Sequence, residues 1–181
     1  MKLYTYLNYG GNCERAFRFY EQHLGGKITM LVTHAQQPNP EAAPPDWRNA
    51  ILHARISIGE TELMGADVPP ERFQPIRSAY LSLLVDSTEE AERIYAVLSD
   101  GGDIFMPMQE TFFAFRFAML RDKFGTSWMI LHERPSTGVS GHFRGAAFMS
   151  SFQNSSLNRG SPRWSLLSPV RVTTMPRLGT T

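Results

Sequence analysis

The sequence has a single cysteine, Cys13, in 181 residues. That excludes an internal disulfide framework and a cysteine cluster for zinc. No apolar run approaches the roughly 18 residues needed to span a bilayer, so no transmembrane helix is expected. The opening Met1-Lys2-Leu3-Tyr4-Thr5-Tyr6 lacks the apolar core of a signal peptide, and a cytoplasmic location is expected. Net charge is nearly absent too, at +1, which gives no general argument for nucleic acid or membrane binding. Several motifs are missing as well. There is no Gly-x-Gly-x-x-Gly, Walker motif, nucleophile elbow or His-Glu-x-x-His, and no motif for binding a methyl donor. What remains is 42% hydrophobic and 19% charged residues, a balance that suits a folded chain of ordinary domain size.

The near-zero charge conceals a break at Pro135. Residues 136–181 contain no Asp, Glu or Lys, but five Arg (Arg144, Arg159, Arg163, Arg171, Arg177) and nine Ser. The formal +1 is thus +5 in this tail and −4 in the body. The tail shows no sustained helical or strand period, apart from a possible short helix near Phe143–Phe152, and it reads as disordered. Arg residues spaced this widely, without Lys, are a weak signal for nucleic acid or acidic lipid, and neither partner is expected. Two divisions follow: a folded domain over 1–135 and a basic Ser/Arg-containing tail over 136–181.

The body repeats itself. A shift of 75 positions matches Glu14 with Glu89, Ala16 with Ala91, Arg18 with Arg93, Tyr20 with Tyr95 and Gly26 with Gly101. In the first copy, Leu3–Tyr9 reads as a strand. Asn12 is a candidate N-cap, and Cys13, Ala16, Phe17, Tyr20 and Leu24 recur at helical spacing before Gly25-Gly26 stops the helix. Lys27–His34 reads as a second strand, a Pro-rich loop follows, and Ala50–Ile58 with Thr61–Ala66 form a hairpin turning at Gly59-Glu60. In the second copy, Ser78–Val85 is a strand. Ser87 and Glu90 fit a capping box, Ala91, Ile94, Tyr95 and Leu98 form a buried stripe, and Gly101-Gly102 closes the helix. Strands at Ile104–Met108, Phe112–Leu120 and Ser127–His132 complete it. Each copy is a βαβββ module, over 1–67 and 76–135. The pair is expected to form one α+β unit, because each helix needs a sheet to cover its apolar face.

Paired βαβββ modules resemble the vicinal oxygen chelate superfamily of glyoxalase I, bleomycin-resistance proteins and extradiol dioxygenases. The chain is most similar to the PhnB-like branch. The resemblance rests on Tyr6-Leu7-Asn8-Tyr9-Gly10-Gly11-Asn12, His53-Ala54-Arg55-Ile56, Leu63-Met64-Gly65-Ala66-Asp67, Gln109-Glu110-Thr111-Phe112, and Asp122-Lys123-Phe124-Gly125 through Trp128-Met129-Ile130. It covers roughly residues 3–133. It implies a glyoxalase/bleomycin-resistance-type curled sheet around a small-molecule pocket, and a homodimer. In catalytic members four His and Glu side chains hold a divalent metal. The corresponding positions here fall near Thr5, Glu62, Tyr80 and Met129. Only Glu62 is a suitable donor, because Thr, Tyr and Met do not replace imidazole and carboxylate as hard-metal ligands. No cofactor is therefore expected at the usual positions, although a divalent metal elsewhere is not excluded.

Each polar candidate carries two readings. His53, mid-strand, is a ligand or acid–base group, or a half-buried histidine with one hydrogen bond. Glu110 is a pocket carboxylate with a raised pKa, or a loop carboxylate paired with a neighbour such as Arg116. Glu62 alternates with Leu63 and Met64 and is a pocket or a surface group. Asn8 bonds ligand or backbone. Phe112, Trp128 and Tyr80, with Tyr4, Tyr6, Phe113, Phe115 and Phe117, line a cavity or fill the core. His34, His132 and His23 read as solvated, and Cys13 as packing. Three functions stay open. One is a small-molecule binder that has lost the four-ligand metal site, using Glu62, Glu110 and His53 for orientation. Another is a metal-dependent lyase or dioxygenase-like enzyme with displaced ligands drawn from His53, Glu62, Glu110 or His34. The last is a non-catalytic interaction module that uses the tail.

Overall fold

The computed structural model describes Met1 and residues 3–135. The calls on 136–181, disorder and the short helix included, lie outside the described residues. The order is β1 (Thr5–Tyr9), α1 (Cys13–His23), β2 (Lys27–Thr33), β3 (Ile51–Ile58) and β4 (Thr61–Asp67). The same pattern then recurs as β5 (Leu81–Leu84), α2 (Thr88–Ser99), β6 (Asp103–Gln109), β7 (Ala114–Arg121) and β8 (Ser127–Glu133). Two βαβββ modules are thus present, each with a four-stranded sheet. The strand orders are β1-β4-β3-β2 and β5-β8-β7-β6. In each sheet the first strand pairs in parallel with the fourth, and the other pairings are antiparallel. Among the described residues no helix is long and apolar enough to cross a membrane.

The registers are equivalent. Thr5 lies beside Leu63 in the first sheet, and Leu81 beside Trp128 in the second. Because side chains alternate across a strand, this assigns faces. Leu7, Leu63, Ala54 and Ile56 point towards α1. Trp128, Ile130 and Leu120 point towards α2, and all of these belong to one buried core. Cys13, Ala16, Phe17 and Tyr20 supply the buried stripe of α1, and Ala91, Ile94 and Leu98 that of α2. Burying each large apolar side chain of this set contributes about 1.5–3 kcal/mol. Gly65 is required where Phe17 crosses β4, since a Cβ there would lie 2.9 Å from the ring.

Several local expectations are corrected. Asn12 holds the N-cap position of α1 but makes no capping bond with its side chain. Asp67 caps instead, from the end of β4. Its Oδ1 accepts from the backbone N–H groups of Gly11 (3.0 Å) and Cys13 (2.9 Å), and its Oδ2 accepts from Ile51 N (2.8 Å). In α2, Ser87 Oγ caps Glu90 N at 3.1 Å, while the Glu90 carboxylate pairs with Arg93. β5 starts at Leu81 rather than Ser78, because Ser78 has φ +55° and breaks the extended run. β7 starts at Ala114, because Thr111 closes a turn onto Ala114 and places Phe112 and Phe113 in it.

The modules meet at Asp122, which is 4% exposed. Oδ1 accepts from Phe124 N (2.9 Å) and Thr126 N (3.0 Å), shaping the 122–126 turn. Oδ2 accepts from Tyr20 Oη of α1 (2.6 Å) and from Trp128 Nε1 of β8 (2.8 Å). Thr126 Oγ1 lies 3.0 Å from Tyr20 Oη and 3.1 Å from Tyr9 Oη. Hydrogen bonds to a buried charged group are each worth about 1.5–3 kcal/mol. Asp122→Asn should therefore lower stability by about 2–3 kcal/mol, since an amide N–H₂ would face donors, and Tyr20→Phe by about 1–2 kcal/mol. Urea unfolding of both variants measures this. A wild-type midpoint for Asp122→Asn would contradict the role assigned to this carboxylate.

Candidate functional site

Alternation leaves the opposite face of the first sheet with its own row of side chains. Tyr6 of β1, Met64 of β4 and Arg55 of β3 lie level in the register, with Glu62 and Ser57 level in the next row. Tyr6 and Asn8 are exposed, while His53, Arg55 and Glu62 are half-buried. Four of these side chains are connected. Tyr6 Oη lies 3.2 Å from His53 Nδ1, and the two rings stack at 5.7 Å with 25° between planes. Arg55 Nε donates to His53 Nε2 at 3.2 Å. Arg55 Nη1 faces Glu62 Oε2 at 3.6 Å. Burial, with a smaller contribution from Cys13, raises the pKa of the Tyr6 phenol above its ordinary 10.0, so it is protonated at neutral pH.

The equivalent row in the second sheet is Ser82, Met129 and Met119, followed by Ser127 and Arg121. The fold repeats, but the polar constellation does not. Residues 76–80 cross this sheet's end, where Arg121 Nη2 donates to Ile76 O at 3.2 Å. Arg121 also lies 5.3 Å from the centre of the Phe105 ring, which meets Tyr80 edge-on.

A cavity of about 570 Å³ lies between the edges of the two sheets. Thr5, Leu63, Tyr80, Leu81, Ser82 and Trp128 are among the residues that line it, so its walls are uncharged. Trp128 reaches it only by an edge, being 1% exposed and tied to Asp122. The sequence candidates therefore fall into four places. Thr5, Tyr80 and Trp128 meet at this cavity. His53, Glu62 and Asn8 share the open face of the first sheet. Glu110 and Phe112 lie in the exposed turn before β7, where Glu110 pairs with Arg134 and not with Arg116. Arg116 instead bonds Glu92 at 2.6 Å. Met129 stands apart on the second sheet, level with Met119. Tyr6 and Arg55 join this group through the register of the strands and not through residue type. The alternation Tyr6/Asn8 with His53/Arg55/Ser57 is the signal that would have grouped them.

The family model for 3-demethylubiquinone-9 3-methyltransferase matches residues 1–131. The chain belongs to this family, the PhnB-like branch of the vicinal oxygen chelate superfamily. The YjdN protein of Escherichia coli is 33% identical over 138 residues, covering 72% of this chain and 94% of YjdN. The crystal structure of PA1353 from Pseudomonas aeruginosa is similar at 38% identity and a TM-score of 0.68, covering 75% of this chain and 99% of that one. The PhnB protein of Bacillus cereus shares the fold, at 24% identity and a TM-score of 0.64, over 73% of this chain and 99% of its own.

The superfamily implies a divalent metal held by His and Glu side chains that converge on one point. Thr5 lies level with Leu63, the residue next to Glu62, so Thr5 and Glu62 point to opposite faces of the sheet. On the Glu62 face, the Arg55 guanidinium contacts both His53 and Glu62. Among the described residues, no three of His, Cys, Asp and Glu converge to hold a metal ion. The residues present do not fit the group.

Cys13 is fully buried, as its packing role predicts. Burial first, then the nearby Asp67 and Glu14 carboxylates, pushes its pKa up from 9.0. Burial likewise raises Tyr9 and Tyr20 above 10.0. For each group the unfolded chain loses its proton at lower pH than the folded one. Their stabilisation is therefore complete below pH 9.0 and falls as the pH rises past 9.0 for the thiol and 10.0 for the phenols. Each titrating group should contribute a loss of about 1.4 kcal/mol per pH unit. Thermal melts from neutral to alkaline pH check this, and Cys13→Ala should remove the earliest part of the decline.

Proposed function

We propose that this PhnB-like protein binds a small organic molecule on the open face of its first sheet, without a bound metal, and acts as a homodimer. The Tyr6–His53–Arg55–Glu62 constellation carries this reading. It gathers an aromatic surface, a histidine and two opposite charges on one accessible face, the combination of apolar contact and convergent polar groups that orients small ligands. The 570 Å³ cavity offers volume but no charge to fix a ligand's orientation.

Electrostatics supports the metal-free part. Arg55 is permanently charged, and two like unit charges 4 Å apart repel by about 4 kcal/mol near a protein surface. A divalent ion between His53 and Glu62 would meet about twice that. The family's methyltransferase description supplies no reaction here, since these side chains include no means of holding a methyl donor that we can assign. The dimer is supported by exposed apolar groups on the sheet faces and edges. Tyr4 and Met30 belong to the first module, and Leu84, Ile104 and Phe105 to the second.

Protein purified without chelator should contain well below one metal ion per chain by elemental analysis. Native mass spectrometry with a metabolite library should show a dimer taking one ligand per chain. His53→Ala should weaken that binding by about tenfold, since it removes a ring contact and the hydrogen bonds that hold Tyr6 and Arg55 in place. Near-stoichiometric zinc, nickel, iron or manganese, lost in a Glu62→Ala/His53→Ala double variant, would refute the proposal.

A further inference from the structure

We infer that the ligand of this face carries an oxyanion, and that Glu62 is an exchangeable internal occupant of the position it takes. The inference rests on the reading that the open face of the first sheet is the binding site. It follows from the direction of the hydrogen bonds. An arginine Nε–H donates and cannot accept, so His53 Nε2 must present its lone pair to Arg55. A neutral imidazole then carries its hydrogen on Nδ1, which donates to Tyr6 Oη. The protonated Tyr6 phenol keeps its own O–H, and no second partner for it exists among the described residues. The relay runs Arg55 to His53 to Tyr6 and ends on an outward-facing donor.

Arg55 gives the same answer at the other end. Its Nη1 stands 3.6 Å from Glu62 Oε2, beyond hydrogen-bond length, so the pair attracts by charge without a formed bond. The Nη donors have no hydrogen-bond acceptor among the described residues, and Glu62 is the carboxylate that faces them. Tyr6 and Arg55 rise from the same face on either side of buried Met64, about two strand spacings, or about 10 Å, apart. Open donors at both ends, one of them a fixed cation, call for an acceptor with negative charge. The stacked Tyr6 and His53 rings provide a flat surface beside it. On the matching face of the second sheet the Ser82–Met129–Met119 row holds no cation, and Arg121 in the next row is engaged by Ile76 O and the Phe105 ring.

Benzoate and benzamide test this, having the same shape but different charge. Aromatic NMR signals of Tyr6 and His53 in the full-length protein report binding of each. Benzoate should bind about tenfold more tightly than benzamide, one charge-assisted contact's worth. Arg55→Gln should abolish that preference. Glu62→Gln should tighten benzoate several-fold by removing its competitor and leave benzamide unchanged. Tyr6→Phe should weaken benzoate while the amide spectrum shows an intact fold. Equal binding of both probes at the Tyr6 and His53 signals overturns the anion inference but leaves the site reading standing. Weaker benzoate binding in Glu62→Gln overturns the role given to Glu62. If neither probe binds, the anion inference fails. If, in addition, a library ligand shifts Thr5 and Tyr80 but not Tyr6 or His53, the site reading fails as well.

Discussion

The buried carboxylate of Asp122 is the constraint on which the packing of the two modules depends. One oxygen shapes the turn before β8, and the other holds Tyr20 from α1 and Trp128 from β8. A buried charge is tolerated only when its lone pairs are filled, and here four donors from two modules fill them. Thr126 extends the network to Tyr9, so the end of β1 is held as well. Asp67 does related work within the first module, holding the start of α1 and the start of β3 to the end of β4. Asp67 thus sets where α1 begins and β4 ends, and Asp122 ties α1 to the turn before β8. The open faces of the sheets are left free of that duty.

That freedom explains why the repeat diverges where it does. Positions facing the helices must remain apolar in both copies, because each helix needs the same cover. Positions on the open face carry no such demand. In the first sheet they became Tyr6, His53, Arg55 and Glu62, and in the second Ser82, Met119, Met129, Ser127 and Arg121. Duplicated architecture with a single polar constellation is how one fold can carry a site grafted onto one of its halves.

Much of the fold was legible because its signals are local. Helical spacing at Cys13, Ala16, Phe17 and Tyr20, and the glycine pairs after both helices, set the element order to within a few residues. The misses have physical causes. Asn12 looked like the cap of α1, but capping was taken over by Asp67, 55 positions later, and no local pattern reveals that. Ser78 looked like strand, but its left-handed backbone breaks the run. Glu110 had two readings, a pocket carboxylate or a loop carboxylate paired with a neighbour such as Arg116; it is an exposed loop carboxylate, and its partner is Arg134. For the site, alternation indicates that Glu62 and His53 can share a face. It cannot say which cation lies between them.

The sequence by itself determined the class: two βαβββ modules and the order of their elements. Those are properties of residue type and spacing, which need no partner from elsewhere in the chain. Only the tertiary structure decided the rest. Register across β1, β4 and β3 put Tyr6 level with Met64 and Arg55, residues far apart in the chain. A one-residue slip in any of these pairings would move each of its side chains to the other face. Thr5 was thereby separated from Glu62, and the candidate site came to rest on Arg55, whose charge acts through what lies beside it in space.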